Sequence, residues 1–125
     1  MSRFGLLSCL ILFASALSAH PMGNFSINHY SALHVTAEAV EVEYLVDMAE
    51  IPTFQECPQA HLSSEQLHAK AVALADGLHL SLSGRHVSIN VVREQSAFTP
   101  GAGGLPTLKL AFLYRAPLLP GIRAA

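Results

Sequence analysis

Seven histidines are the residues of this 125-residue chain with the clearest chemical potential, because only 13% of its residues are charged. A neutral imidazole binds nickel, cobalt, copper and zinc, so the histidines make the chain a candidate for metal binding. The sequence contains no His-x-His, no His-x-x-x-His and no Cys-x-x-Cys. It therefore lacks the local spacings that are typical of metal sites.

The first candidate ligand is His20, in the stretch SAHPMGNFSINHYSAL that follows an apolar leader. Cleavage after Ala19 would expose an amine that chelates a metal together with the His20 imidazole, and Met22 would add a thioether ligand for copper. Cleavage after Ser18 is the alternative. Ala16 suits the position three residues before that cut, whereas Leu17 is a poor residue at the same position before the cut after Ala19. His20 would then stand second. The alternative to a metal-binding N-terminus is that His20 lies in an ordinary turn before the strand.

His29 and His34 lie on a predicted strand with opposite orientations. The parity of His29 places it on the apolar side, opposite Val46, either as a ligand or as a hydrogen-bonded histidine at the edge of the core. His34 is expected opposite Glu41 on the polar face, as a cross-strand ion pair. The predicted metal ligands are thus His20, Met22 and His29, with Ni²⁺, Co²⁺ or Cu²⁺ as candidate ions.

The remaining histidines are predicted to be solvated. A two-residue turn at Gly84-Arg85 pairs Ser83 with His86, which leaves His79 and His86 roughly 13 Å apart and unable to share one ion. His61 and His68, at the start of a predicted helix and within it, are interpreted in the same way.

The elements that position these residues follow from hydrophobic periodicity. Two alternating runs predict a first hairpin through TAEA, with Val35 opposite Val40, Leu33 opposite Val42 and Ile27 opposite Met48. A short turn is expected near Pro52.

The second half of the chain predicts one helix and three strands. Ser63 and Gln66 form a capping box for a helix from Ser64 to Asp76, and Gly77 ends it. A second hairpin, a glycine- and proline-rich loop (SAFTPGAGGLP) and a strand from Leu108 to Tyr114 follow. The order β-β-α-β-β-β predicts a β-rich α+β fold, a small sandwich-like domain with one sheet face covered by a helix or a second sheet.

Composition limits the chain to one small domain. A net charge of -2 gives no basic surface for nucleic acid. Arg3, an uncharged apolar run and small residues predict a signal peptide over residues 1–19. Residues 20–125 are then a single extracytoplasmic domain. Because the ending YRAPLLPGIRAA leaves a strand and stops without a cap or a polar tail, we expect the domain to be truncated at its C-terminus. Removal of the leader leaves Cys57 as a lone thiol.

The sequence predicts no catalytic residues. Asp47, Glu50 and Glu56 surround the Pro52 break, but neither a serine-nucleophile motif nor a glycine-rich phosphate loop accompanies them. The carboxylates are interpreted as a solvated edge or as favourable charges at a short helix N-terminus. We therefore predict that the chain is not an enzyme.

Two segments, HPMGNFSINHYSAL and VEYLVDMAEIPTFQE, resemble the opening of bacterial membrane proteins related to nickel/cobalt transporters and exporters. In that family an exported N-terminal domain precedes a bundle of transmembrane helices. The resemblance implies an extracytoplasmic accessory domain, on the periplasmic side of the inner membrane, that captures divalent metal or caps its partner, the transmembrane portion. The alternative is a free-standing periplasmic module that binds a metal or a protein.

The leader yields the first testable prediction. A chain expressed with its own N-terminus should be recovered outside the cytoplasm without its first 18 or 19 residues, and intact-mass spectrometry distinguishes the two cuts. Recovery of intact Met1–Ala125 in the cytosol would contradict the prediction.

Overall fold

The computed structural model describes residues 24–118, which form a β-rich α+β domain, as predicted. The helices and strands are β1 (Ile27–Val35), β2 (Ala39–Met48), α1 (Glu50–Glu56), α2 (Ser64–Gly77), β3 (Leu80–Leu82), β4 (Arg85–Val87), β5 (Asn90–Pro100) and β6 (Pro106–Pro117). A short 3₁₀ turn, Ala102–Gly104, joins β5 to β6.

The main sheet is antiparallel, with the strand order β1-β2-β6-β5. β6 comes after the other strands along the chain, yet it lies between β2 and β5 and is hydrogen-bonded on both sides. β1 and β5 form the two edges. β3 and β4 make a separate two-stranded hairpin.

The first hairpin has the predicted register. Val35 lies opposite Val40, Leu33 opposite Val42, and Ile27 opposite Met48. In the turn, the Thr36 hydroxyl accepts a hydrogen bond from the backbone N–H of Ala39 at 3.1 Å. This side-chain bond holds the turn that sets the register.

The core lies between the main sheet and α2. Alternate residues of β2 and β6 point towards the helix, where Leu67 and Ala71 are buried against them. Tyr114 of β6 is fully buried, and its hydroxyl donates a hydrogen bond to the carbonyl of Ala71 at 2.9 Å. Burial raises the pKa of Tyr114 to about 12. The buried phenol is therefore satisfied as a neutral donor, as buried polar groups generally must be.

α2 begins with the predicted capping box. The Ser63 hydroxyl accepts from the Gln66 backbone N–H at 3.1 Å, and the Gln66 side chain accepts from the Ser63 N–H at 2.9 Å. These two bonds satisfy donors that a helix start would otherwise leave without partners. The helix ends at Gly77, one residue later than predicted.

The segment around Pro52 forms a seven-residue helix, α1, rather than a short turn. Pro52 lies in its first turn, where a missing N–H breaks no intrahelical bond. The buried Thr53 hydroxyl donates to the carbonyl of Met48 at 3.1 Å and so ties α1 to the end of β2. A second helix thus enters the element order.

The predicted loop over residues 96–106 is wrong in its first half. Residues 96–100 belong to β5 and pair with β6 as far as Pro100 opposite Pro106. A bulge between Val91 and Arg93 interrupts the ladder nearer the start of β5. β5 is thus a strand separate from the second hairpin, and the order is β-β-α-α-β-β-β-β.

The core predicts different outcomes for two adjacent substitutions in β2. Val42 is only 6% exposed and belongs to the core cluster, whereas Glu43 is exposed on the other face. Val42→Asp buries a charge without a partner and should lower the free energy of unfolding by several kcal/mol, roughly 3 or more.

Glu43→Lys is the matched control, and it should change stability by about 0.5 kcal/mol or less. Urea unfolding followed by circular dichroism measures both variants. Similar midpoints for the two variants would contradict the assignment of the buried face.

Candidate functional site

The β1 surface is the largest concentration of exposed apolar side chains in the described part of the chain. We define it by Phe25, Ile27, Tyr30, Leu33 and Val35, which are five of the nine exposed large hydrophobic residues between positions 24 and 118. Leu33 is 60% exposed and Val35 is 57% exposed. Exposed apolar patches of this kind often mark interaction sites.

The exposure of these side chains is unexpected, because the sequence predicts that the apolar side chains of every strand lie on a covered face of the sheet. Ile27, Leu33 and Val35 do share the face of the sheet on which the helices pack. The helices, however, contact β2, β5 and β6. Because β1 is the edge strand beyond them, its apolar row remains exposed.

His29 occupies the predicted position on the helix side of β1, opposite Val46, and is exposed. Its Nδ1 lies 2.8 Å from the hydroxyl of Tyr44, and the two ring centroids are 5.8 Å apart. One ring nitrogen is therefore engaged in a hydrogen bond with a tyrosine. His20 and Met22, the other two predicted ligands, lie outside the described residues, so their distance from His29 is not part of the structure.

His34 lies opposite Glu41 in the β1–β2 register, as predicted. Its nearest carboxylate is nevertheless that of Glu43, with Nε2 3.8 Å from Oε2, while Glu41 approaches Arg115 at 3.8 Å. The predicted partner is thus wrong, because Arg115 on β6 lies directly opposite Glu41 on its other side. Both pairs lie at the surface, with Glu41 half-buried and the other three side chains exposed, so each contributes little to stability.

His68 makes a contact that the sequence did not indicate. Its Nδ1 is 3.0 Å from Oε2 of Glu94, which joins α2 to β5. His61 lies in the segment between the helices and is exposed. Within the described residues, neither His61 nor His68 contacts another histidine.

His79 and His86 lie side by side, which corrects the prediction that roughly 13 Å separates them. Their ring centroids are 6.2 Å apart, and the ring planes are inclined by 58°. A depression of about 180 Å³ at the end of α2 is lined by both rings and by Asp76. The two imidazoles are thus the closest pair of potential metal ligands among the histidines of the described chain.

The predicted distance between His79 and His86 is wrong because the prediction misplaces the turn of the β3–β4 hairpin. The turn residues are Ser83 and Gly84, with φ values of 50° and 76°, not Gly84 and Arg85. Two successive positive φ values are the mark of a type I′ turn, which favours glycine at its second position. Ser-Gly between apolar alternations was the sequence signal for this turn. Moving the turn by one residue shifts the cross-strand register by two, which brings the histidines together.

The three carboxylates near Pro52 do not gather into one site. Asp47 accepts from Lys109 at 2.8 Å, Glu56 pairs with Lys70, and Glu50 accepts from the backbone N–H of Ala102 at 2.7 Å. Each carboxylate thus has a partner on a different element. This arrangement provides no pair of carboxylates for acid–base chemistry.

The buried Glu50 connects α1 to the β5–β6 loop. Gly101 packs so closely that a Cβ there would lie 2.6 Å from Oε1 of Glu50 and 2.8 Å from the Leu105 carbonyl. The hydrogen bond from Ala102 lowers the pKa of Glu50 below its ordinary value of 4.5. Glu50 is therefore a structural contact, as its position in the first turn of a helix also favours.

Within residues 24–118, no three His, Cys, Asp or Glu side chains are grouped closely enough to hold a metal ion. The same residues include no helix that is long and apolar enough to cross a membrane. Cys57 is buried and forms no disulfide there, and burial raises the pKa of its thiol.

Comparisons of the chain with protein-family models, with curated proteins and with solved structures gave no match. The resemblance to nickel/cobalt transporter-related proteins consequently stays a prediction.

Glu50 yields a prediction about acid stability. Because the pKa of Glu50 is lowered in the folded state, its ionised form stabilises the fold above about pH 4.5, and this contribution is lost as the pH falls through the folded-state value. Glu50→Gln should lower the melting temperature at pH 7 and weaken the dependence of stability on pH in the acid range.

Glu38→Gln is the control, since Glu38 is an exposed glutamate in the β1–β2 turn. Thermal unfolding between pH 3 and pH 7 measures both variants. Identical pH dependence in Glu50→Gln and the unsubstituted chain would contradict a role for the ionised carboxylate.

Proposed function

We propose that this chain is the exported accessory domain of a nickel/cobalt transporter-like membrane protein, and that it caps the membrane portion through its β1 surface. The apolar leader supports export. The two segments that resemble the transporter-related proteins support the assignment to a nickel/cobalt transporter-like protein. The capping role rests on one observation, the exposed apolar side chains of the β1 surface.

β1 is an edge strand that lacks the usual protection of such edges. Natural proteins place charged side chains, prolines or bulges on exposed edges, since an open edge pairs readily with another chain. β1, with the sequence INHYSALHV, contains no Lys, Arg, Asp, Glu or Pro, and it pairs with β2 without a bulge. An edge of this composition suits a partner that pairs with it or packs on it.

Apolar side chains flank the edge on both faces of the sheet. On the helix side, Leu33 and Val35 are exposed, while on the opposite face Tyr30 and Leu45 line a shallow depression of about 380 Å³. A segment added along β1 would therefore cover apolar surface on both of its sides. Main-chain pairing would supply affinity and the side chains specificity, as in other strand-addition interfaces.

The charges near β1 favour an uncharged partner surface. On the open face of the sheet, Asp47 pairs with Lys109 and Glu41 with Arg115, so opposite charges are matched across β2 and β6. Between positions 24 and 118, no unpaired block of one sign accompanies the β1 surface. Apolar contact and backbone pairing are consequently the interactions available for docking, which fits a protein partner better than a nucleic acid.

A photo-crosslinking experiment in the producing bacterium tests the proposal. p-Benzoylphenylalanine replaces Leu33, and membranes are irradiated before crosslinked peptides are identified by mass spectrometry. We expect crosslinks to segments next to the transmembrane helices of a metal transporter, either in the same polypeptide or in a separate one.

Val92 is the matched control position, because it is 54% exposed and lies on β5 at the other edge of the sheet. The probe there should give few of these crosslinks. Crosslinks from Leu33 to a soluble periplasmic protein would favour the free-standing module. Crosslinks to a second copy of the chain alone, or equal yields at both positions, would also overturn the cap.

A further inference from the structure

We propose that His79 and His86 form a two-histidine binding site for a divalent transition-metal ion of the class that prefers imidazole, such as Cu²⁺, Ni²⁺ or Zn²⁺. The site lies on the β3–β4 hairpin at the end of α2. It is separate from the predicted ligands His20, Met22 and His29, and it requires neither the docking role of β1 nor the presence of a membrane portion.

The register of the hairpin explains why the two rings meet. Leu80 lies opposite Val87 and Ser81 opposite His86. Continuing this pairing by one residue places His79 opposite Ser88, so the two histidines are diagonal neighbours on one face of the hairpin. Side chains in such positions are within reach of one another.

The neighbouring residues leave the rings accessible. Ser81 and Ser88, which occupy the same face of the hairpin, have small side chains, and both histidines are exposed. A metal ion can therefore reach the rings without opening the core. Because both rings are exposed on a hairpin separate from the main sheet, they can rotate without movement of the main sheet.

The observed separation is compatible with one shared ion. Metal–nitrogen bonds of about 2.1 Å place two ligating nitrogens at most about 4.2 Å apart. Rings whose centroids are 6.2 Å apart can each present one nitrogen to a common ion after rotation of the side chains alone. Two imidazoles supply half of a four-coordinate shell, and water molecules complete it.

The electrostatic surroundings favour a cation. Asp76 lines the same depression as the two rings, although it is not grouped with them as a third ligand. The depression lies at the C-terminal end of α2, where Ala75 and Leu78 also line it. The C-terminus of a helix carries partial negative charge, which attracts positive ions.

Metal titration of the full chain tests the site. The chain is purified without a histidine tag and titrated by calorimetry with Cu²⁺, Ni²⁺ and Zn²⁺, in a His20→Ala background that removes the predicted ligand His20. His79→Ala and His86→Ala should each weaken binding. Loss of an outer partner of a metal ligand already lowers affinity by about 10–100-fold, so loss of a ligand itself should lower it by about tenfold or more.

Each single variant keeps one histidine, which forms no chelate. The double variant His79→Ala/His86→Ala should therefore bind no more weakly than the single variants. His34→Ala and His61→Ala are controls, and each should keep the affinity within about twofold, since neither residue is part of the site. Zn²⁺ should also shift the ring NMR signals of His79 and His86 together.

A rescue pair tests the geometry directly. His86→Ala/Ser88→His returns a histidine to the same face, directly opposite His79, and should restore binding. His86→Ala/Arg85→His keeps the same number of histidines but places one on the other face, where it should not restore binding. Unchanged affinity in the double-alanine variant, or equal affinity of the two rescue variants, would overturn the site whatever the outcome for the β1 surface.

Discussion

Tyr114 and Ala71 are both fully buried, and the hydrogen bond between the Tyr114 hydroxyl and the Ala71 carbonyl joins the strand β6 to the helix α2. Packing around this bond removes the inner rows of β2 and β6 from water, which is the main favourable contribution to the fold. The helix cannot move along the sheet without leaving a buried hydroxyl unsatisfied, which is costly. The position of the β3–β4 hairpin, which follows α2 in the chain, depends on this contact, whereas β1 is held by its pairing with β2.

The two edges of the main sheet have different surroundings as a result. The β5 edge carries Arg93, Gln95 and a bulge, and α2 packs against it. The β1 edge has none of these features and keeps its apolar side chains exposed. Among the described strands, β1 is thus the edge that suits an added strand, which would lie on the side of β1 away from β2.

Local patterns were sufficient where the sequence itself determines the geometry. The alternation around TAEA gave the register of β1 and β2, and Ser63 and Gln66 gave the start of α2. The position of His29 followed from the same register. The order of β2, β6 and β5 in the sheet has no local signal, because it depends on pairing between distant segments.

Residues 96–100 show the limit of composition as a guide. Serine, threonine, proline and nearby glycines are typical of a loop, yet pairing with β6 makes this segment a strand. Pro100 is tolerated because it is the last residue of an edge strand. The His79–His86 pair was missed for a smaller reason, since a turn misplaced by one residue moves every cross-strand partner by two. His20 and Met22 fall outside the described residues, so the structure adds nothing to their prediction.

The position of β6 has a kinetic consequence. β1, β2 and α2 can form from neighbouring residues, but the core closes only when β6 enters between β2 and β5, and β6 is the final strand of the described chain. Contacts between distant segments form slowly, because the intervening chain must be ordered first. During synthesis the apolar row of β2 therefore remains without its partner β6. A polypeptide that stays open in this way can be threaded through a translocation pore without first being unfolded, which suits the export proposed for it.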